Sequence, residues 1–324
     1  MKALRVEQLS DDLSGVALVD LPDPERQAGE VLVRVHAASL NYPDLLMTQG
    51  KYQFKPEVPF TLGLELAGEV LEADPASELK AGDRVMGGAK TGGMAGLAVL
   101  PAKHLRPIPP GLDYAQAAAM GAAYSTAYTA LVEIGRLQAG QWVLVHGASG
   151  GVGLAACDLA KALGAHVIAA SHREDKLARI AEACDPHALI VNQGRFREQV
   201  SAITDGHLCD IVFDPVGGDV FDESTRCVTF GGQLQVIGFV SGRIPEIAVN
   251  IPLIKGFSVV GIRAGEYARR FPERGRAISA SIDALVSERR LKPTIDRRLP
   301  LSCWREAFEA MQRGEIVGKL VLEP

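Results

Sequence analysis

Residues 143–153 read Val143-Leu-Val-His-Gly-Ala-Ser-Gly-Gly-Val-Gly153 and run directly into Leu154-Ala-Ala-Cys-Asp-Leu-Ala160. A short apolar run, Trp142–His146, meets a glycine-rich turn, and an amphipathic pattern over Val152–Leu163 predicts the helix that follows. The spacing Ala148-x-Gly150-x-x-Gly153 matches the dinucleotide fingerprint with alanine in place of its first glycine. Gly150 lets the backbone approach a pyrophosphate, and Gly153 lets the helix pack close to the sheet. The helix N-terminus then presents N–H groups and the positive end of its dipole. A glycine triplet alone describes a structural turn equally well. Here the strand before it, the helix after it and the next strand–helix unit fall where the motif requires them. Ala148, Ser149, Gly150, Gly151, Val152 and Gly153 are therefore the expected phosphate-binding turn.

Outward from that turn the chain alternates. Strand patterns at His166–Ala170, Leu189–Asn192, Cys209–Phe213 and Gln233–Phe239 are separated by helical patterns at Glu174–Ala183, Phe196–Ile203 and Val220–Val228. Apolar strands joined by helices predict βαβ units and a doubly wound parallel sheet. Before about residue 122 the texture differs. Val31–Val35, Leu66–Leu71, Arg84–Met86 and Leu97–Leu100 are strand-like runs punctuated by Pro and Gly, with short helices at Asn41–Thr48 and Tyr114–Ala119. A long helix at Pro272–Glu288, another near Ser302–Arg313 and a last strand at Val317–Leu322 form a mixed tail. At about 150 residues per domain, 324 residues suggest two domains. The layout makes one an insertion into the other.

The chain is 47% hydrophobic and 23% charged, which fits a folded protein rather than a disordered one. No apolar run approaches the roughly 18 residues of a membrane span. The start, MKALRVEQLSDDLSG, lacks the pattern of a signal peptide. A net charge of −5 leaves no global basic footprint for nucleic acid or anionic lipid. Five cysteines lie scattered at 157, 184, 209, 227 and 303, with no C-x-x-C, as in a reducing compartment. A cytoplasmic protein with neither a membrane nor a nucleic-acid partner is expected.

Cofactor choice is read about 20 residues past the fingerprint, where an NAD site places an acid on the ribose 2′-hydroxyl. This chain has Ser171-His-Arg173-Glu-Asp-Lys176 there. Ser171 can hydrogen-bond a 2′-phosphate and Arg173 and Lys176 can neutralise it, provided Glu174 and Asp175 turn away. The bland alternative is a solvated helix start, but the missing acid favours NADPH. A catalytic zinc needs three protein ligands. Seven histidines are present without H-x-x-E-H or H-E-x-x-H spacing, and no cysteine precedes Cys157, so no metal site is expected.

Asn41-Tyr-Pro-Asp44, Gly63-Leu-Glu65-x-x-Gly68-x-Val70, Gly82-Asp-Arg-Val85, Ser125-Thr-Ala-Tyr128, Ala148-Ser-Gly-Gly-Val-Gly153 and Gly318-Lys-Leu-Val321 occur in order. Together they resemble the zinc-independent quinone oxidoreductase (zeta-crystallin-like) branch of the medium-chain dehydrogenase/reductase superfamily, over essentially the whole chain. The resemblance implies a GroES-like β-rich catalytic domain, residues 1–121 plus 262–324, and a Rossmann NADPH-binding domain, residues 122–261. It implies a site in the cleft between them and a homodimer formed through the sheet edge near Ile247–Gly261. In zinc-dependent members the metal ligands would fall at Asn41, Leu64 and about Ala122, none of them a usual ligand. The resemblance also places Asn41 and Thr126 near the nicotinamide and pyrophosphate, and Ser171 and Lys176 at the 2′-phosphate. It puts Asn192 where an adenosine-stacking Tyr often stands. Gly238, Phe239 and Ser241 fall in a loop passing the nicotinamide, and Lys319 where the C-terminal segment approaches the cofactor.

Without metal or flavin, such an enzyme relies on orienting a nicotinamide against an electrophile. Tyr52, in Gly50-Lys-Tyr-Gln, is either a proton donor or a loop aromatic shielding the site. Asn41 orients a carbonyl or the carboxamide. Three functions are open at this level: a quinone reductase, an enoyl-thioester or alkenal double-bond reductase, and an NADPH-binding structural or regulatory protein with little turnover.

Overall fold

The chain opens as β1 (Lys2–Val6), which buries Ala3, Leu4 and Val6 and pairs antiparallel with β2 (Val16–Asp20). In β3 (Glu30–Ser39) Val31, Val33 and Val35 are buried and Arg34 is exposed, the period-2 signature of a strand with one face on a core. The short helix α1 (Tyr42–Thr48) has Pro43 in its first turn, where a missing N–H costs nothing. Then come β4 (Phe60–Thr61), which joins β1, and β5 (Glu65–Ala73), β6 (Arg84–Gly88), β7 (Leu97–Pro101) and β8 (Leu105–Pro107). Helix α2 (Tyr114–Ala118) is capped by Asp113, whose side chain accepts from the Gln116 N–H.

The regular part begins with α3 (Gly121–Tyr128), which widens into a π-type turn at Thr129–Ile134. It continues through β9 (Trp142–Val145), α4 (Gly151–Ala162), β10 (His166–Ser171), α5 (Leu177–Cys184), β11 (Ala188–Val191) and α6 (Arg197–Ile203). β12 (Cys209–Asp214), α7 (Gly218–Ser224), β13 (Val228–Val236), α8 (Asn250–Lys255) and β14 (Ser258–Gly261) complete the sheet, and α9 (Ala264–Arg270) and α10 (Pro272–Ser287) follow it. The six strands are all parallel, in the order β11-β10-β9-β12-β13-β14. This is the doubly wound Rossmann arrangement, whose strand order reverses between β9 and β12. Val143, Leu144 and Val145 are fully buried, as a central strand covered on both faces requires. Such a strand has no polar face, so it reads as a continuous apolar run.

The chain then returns to its first sheet with β15 (Ile295–Pro300), α11 (Trp304–Gln312) and β16 (Lys319–Glu323). β16 lies parallel to β15 and antiparallel to β3, with Val321 opposite Ser39 and Leu322 opposite Ala38. The seven-stranded sheet runs β15-β16-β3-β5-β6-β8, with β7 also on β3. Its core includes Val33, Leu66, Trp304, Phe308 and Leu320.

The computed structural model describes residues 1–324 and divides into two compact units, Met1–Gly121 with Ile295–Pro324, and Ala122–Thr294. The sequence reading drew its second boundary at 261/262. The structure keeps residues 262–294 with the parallel sheet, because side chains tie them there. The Tyr267 hydroxyl and Arg274 Nη1 each donate to Glu133 Oε2 at 2.9 Å, and the Lys292 N–H donates to Asp158 Oδ2 at 3.1 Å. A second difference lies at β13. The sequence suggested a helix to Val228 and a strand from Gln233, whereas α7 ends at Ser224 and the strand starts at Val228. Gly231, at φ +83°, sits in a bulge that interrupts the pairing with β12 and hides the strand's period. No helix is long and apolar enough to cross a membrane.

Candidate functional site

The glycine turn at the end of β9 is built by backbone closeness. Gly147 takes φ +57°, and the Gly150 N–H donates to its carbonyl at 2.9 Å. A Cβ on Gly153 would stand 2.2 Å from that same carbonyl oxygen, so only glycine lets α4 come this near the strand. Ala148 is fully buried and its N–H donates to Ala170 O at 3.0 Å, joining the turn to β10. Gly150 caps α4, followed by Gly151 and Val152, so the helix's first N–H groups open at the carboxyl edge of the sheet.

The end of β10 supplies the cations. Ser171 is buried, and its Oγ accepts from the Arg173 N–H at 3.1 Å. Lys176 is buried and reaches back to the glycine turn, its Nζ 3.4 Å from Ser149 Oγ. Asp175 does not turn away from this group as the sequence reading required. Arg173 donates to it through Nε and Nη2 at 3.0 and 2.6 Å, in a solvent-exposed pair.

Asn192 behaves differently from the expectation of an adenosine contact. It is buried, and its Nδ2 donates to His146 Nδ1 at 2.9 Å. His146 in turn meets Ser224 Oγ at 2.8 Å through Nε2, and that hydroxyl donates to Val220 O at 2.6 Å. With the hydroxyl proton so used, Nε2 carries the imidazole proton and Nδ1 is the acceptor, which fixes the Asn192 amide. Burial holds the His146 pKa down at about 3, so the ring is neutral. The side chain turned outward here is Gln193, whose Nε2 donates to His172 O at 2.5 Å. The sequence signal that could have found this network is the histidine that ends an otherwise apolar strand run.

Gly238, Phe239 and Ser241 lie in the loop after β13, pinned to the turn after β12. Val240 and Ser241 N–H groups donate to Pro215 O at 3.1 Å and Val216 O at 3.0 Å. That turn is itself shaped by Asp214, whose Oδ1 accepts from the Val216 and Gly217 N–H groups at 2.8 and 3.0 Å. Phe239 is 40% exposed, its ring free to meet a ligand. Thr126 lies on α3, where its Oγ1 donates to Ala122 O at 2.7 Å and keeps only acceptor capacity.

The β-rich unit holds a separate polar cluster. Lys319 Nζ donates to Asn41 Oδ1 at 2.6 Å, and Asn41 Nδ2 donates to Glu65 Oε2 at 2.8 Å. Lys319 and Glu65 form an ion pair at 3.7 Å. Asp44 is fully buried and accepts from the N–H groups of Asn41 at 2.9 Å and Gly63 at 3.2 Å. Burial raises its pKa to about 7 against those two donors and the nearby ammonium. Gly121 leaves room for Glu65, whose Oε1 would lie 2.6 Å from a Cβ there. Tyr52 is half-buried in the bend before β4 and packs against the core of this unit.

The expected residues therefore form two groups. The nucleotide turn, Ser171, Arg173, Lys176 and the loop 238–241 share the carboxyl edge of the parallel sheet, the edge at which doubly wound sheets bind ligands. Asn41 and Lys319 meet in the other unit. No group of three or more His, Cys, Asp or Glu is arranged to hold a metal ion.

Residues 27–110 match the family model of the alcohol dehydrogenase GroES-like domain, and residues 151–280 that of zinc-binding dehydrogenases. The chain is 38% identical over 297 residues to a quinone oxidoreductase-like protein 2 homolog of Nematostella vectensis, covering 90% of this chain and 81% of that one. A probable oxidoreductase from Mycobacterium abscessus superposes with a TM-score of 0.92 at 35% identity, over 100% of this chain and 99% of that one. Quinone oxidoreductase of Escherichia coli, solved in complex with NADPH, superposes with a TM-score of 0.89 at 25% identity and 100% coverage of both chains. With both domain types matched in order and a relative aligned along most of its length, the chain belongs to the quinone oxidoreductase branch of the medium-chain dehydrogenase/reductase superfamily.

Proposed function

We propose that this protein is an NADPH-dependent reductase of quinones and related α,β-unsaturated carbonyls, working without zinc or flavin. The observation that carries the reading is the shared carboxyl edge: a glycine turn whose Gly153 admits no Cβ, with Ser171, Arg173 and Lys176 beside it. When bound, NADPH supplies the hydride, and the protein's part is to hold and orient. The α4 N-terminus and residues 148–153 hold the pyrophosphate, with Thr126 alongside. Ser171, Arg173 and Lys176 hold the 2′-phosphate, where two cations and no ribose-binding acid favour the phosphorylated cofactor. Asn192 supports the adenosine end from inside, through His146, and Gln193 faces it. Gly238, Phe239 and Ser241 flank the nicotinamide, Asn41 and Lys319 bound the reacting end, and Tyr52 donates a proton.

Two further features belong to this reading. The absence of Cys or His at Asn41, Leu64 and Ala122 supports metal-free chemistry. A homodimer forms across β14, the sheet edge beside which Val249, Leu253 and Ile254 are 83%, 80% and 75% exposed. The test follows NADPH loss with a panel of quinones and a panel of enones and enoyl thioesters. Turnover on quinones or simple enones is expected. Turnover confined to thioesters moves the function to double-bond reduction of acyl substrates, and tight NADPH binding without turnover on any panel ends the enzyme reading. Tyr52→Phe is expected to lower kcat with NADPH affinity unchanged; a normal kcat removes Tyr52 as donor.

A further inference from the structure

The turn that ends β10 anchors a backbone and leaves a ring unengaged. Ser171 Oγ accepts from the Arg173 N–H and donates to Arg173 O, both at 3.1 Å, so the chain closes tightly around His172. The His172 carbonyl accepts from Gln193 Nε2 at 2.5 Å, which ties the same residue to the loop after β11. Its imidazole is exposed and has neither a hydrogen bond nor an ion pair within the protein. A neutral imidazole offers one N–H and one lone pair, and here both are open to a ligand.

The ring nonetheless sits in a strong local field. Partial burial, then Lys176 and Arg173, hold its pKa below the ordinary 6.5, and Asp175 opposes them. Those three are the charged groups that act on it. Arg173 already shares its charge with Asp175 at 2.6 Å, and Lys176 reaches toward the glycine turn, 3.4 Å from Ser149 Oγ. Without a ligand the two cations therefore repel a third. A phosphate monoester carries a charge of about −1.5 to −2 at neutral pH. Placed against Lys176 and Arg173, it reverses the field at the ring, and attraction to the anion replaces repulsion by the cations.

We propose that His172 is a third ligand of the cofactor's 2′-phosphate, joining Arg173 and Lys176 only as an imidazolium, so that the preference for the phosphorylated dinucleotide grows as pH falls. The inference rests on the reading of this edge as a 2′-phosphate site. On binding, the ring takes one proton from solvent, and an imidazolium N–H donates to a phosphate oxygen in a charge-assisted hydrogen bond. No covalent bond forms or breaks. The free ring holds its proton only below its lowered pKa, and the bound ring holds it to a higher pH. The gain in affinity is therefore fully present below the first value and is lost as pH rises through the second. NAD brings no phosphate to this position, so its affinity carries no such dependence.

The test is calorimetric titration of the wild-type chain, His172→Gln and His172→Lys with NADP+ and NAD+ at pH 5.5 and pH 8, with no turnover required. At pH 5.5 the wild type is expected to bind NADP+ about 5-fold tighter than His172→Gln, and at pH 8 within about 2-fold of it. NAD+ affinity is expected to agree within about 2-fold among the three proteins, which also shows that the variants are folded. His172→Lys carries its charge at both pH values. It is expected to match the wild type at pH 5.5 and to bind NADP+ about 5-fold tighter than it at pH 8. The phosphate's own titration is common to all three and cancels in these ratios. A ratio of wild type to His172→Gln that is the same at both pH values overturns the proposal and leaves the 2′-phosphate reading standing. Equal binding of NADP+ and NAD+ by the wild type overturns both. If His172→Gln loses NAD+ affinity as well, His172→Lys decides, and a wild-type pH dependence of NADP+ binding in that variant overturns the proposal.

Discussion

Arg173 holds Asp175 through two guanidinium nitrogens, at 3.0 and 2.6 Å, beside the buried Ser171 hydroxyl. The pair is exposed, so it is weak and exchanges readily for a better anion. A dianionic 2′-phosphate is such an anion, and Asp175 competes with it for the same donors. Asp175→Ala is therefore expected to raise NADPH affinity about 2- to 5-fold without changing NADH affinity. Arg173→Ala combined with Lys176→Ala is expected to weaken NADPH about 100-fold and NADH less than about 3-fold. Calorimetric titration of the two dinucleotides measures both, and equal losses would remove the 2′-phosphate assignment.

Two glycines of the same turn are expected to separate stability from binding. A Cβ on Gly153 meets Gly147 O at 2.2 Å and Ala148 Cα at 2.9 Å, all backbone. Gly153→Ala is expected to cost about 1–3 kcal/mol and to lower Tm in a thermal melt. A Cβ on Gly150 meets only Gly147 O, at 3.3 Å. Gly150→Ala is expected to keep the wild-type Tm and still lose NADPH affinity, because the new methyl occupies the space of the pyrophosphate. Wild-type affinity in Gly150→Ala would place the dinucleotide elsewhere.

His146 gives stability a defined slope in acid. Its folded pKa lies near 3, below the ordinary 6.5, because burial disfavours the imidazolium. Between those values the unfolded chain binds a proton that the folded chain refuses, so stability rises with pH across the window. His146→Phe is expected to flatten that slope. It also strands the Asn192 amide, costing about 1–3 kcal/mol at neutral pH. Chemical denaturation at pH 4, 5.5 and 7 reads both effects, and an unchanged slope would mean that another group controls it.

Asp44 works in the opposite direction. Its carboxyl is raised to about 7 by burial, above the ordinary 3.8. The folded chain therefore holds a proton that the unfolded chain releases. The stabilisation is complete below about 3.8 and is lost as pH rises through about 7. Asp44→Asn is expected to remove this fall between about pH 3.8 and 7. It should also cost about 1–3 kcal/mol, because the new amide N–H faces a backbone N–H of Asn41 or Gly63. Parallel denaturation curves for wild type and variant across that range would refute the shift.

Much of the parallel unit was legible because its signals are local. Residues 142–163 state a strand, a turn and a helix within one window, and the clash that forbids a Cβ on Gly153 is implied by the fingerprint itself. The strands of the β-rich unit were found to within a few residues where Val31, Val33 and Val35 alternate, while β1 and β2 went unassigned although Ser10, Asp11, Asp12, Ser14 and Gly15 lie between them. What sequence hides is direction and partnership. Whether Asn192 or Gln193 faces outward depends on a histidine 46 residues earlier in the chain. Asp175 and Arg173 are near neighbours, yet their pairing depends on rotamers that charge patterning does not specify. Lys319 and Asn41 lie 278 residues apart, so no window holds both.

The position of β16 has a consequence for how the protein is made. This strand lies between β15 and β3, so the β-rich sheet lacks an interior member until residues 319–323, which follow the whole parallel unit in the chain, have been synthesised. The parallel unit is synthesised in between and needs nothing from either side to pair its strands. It can fold first, and by folding it draws together the two ends that β3 and β16 must join, replacing a very long flexible loop with a compact spacer. Its stability thus sets the effective concentration of the last strand at its slot. A destabilising change in the nucleotide-binding unit, far from β3, is then felt as slow completion of the other sheet, with Lys319 arriving at Asn41 last of all.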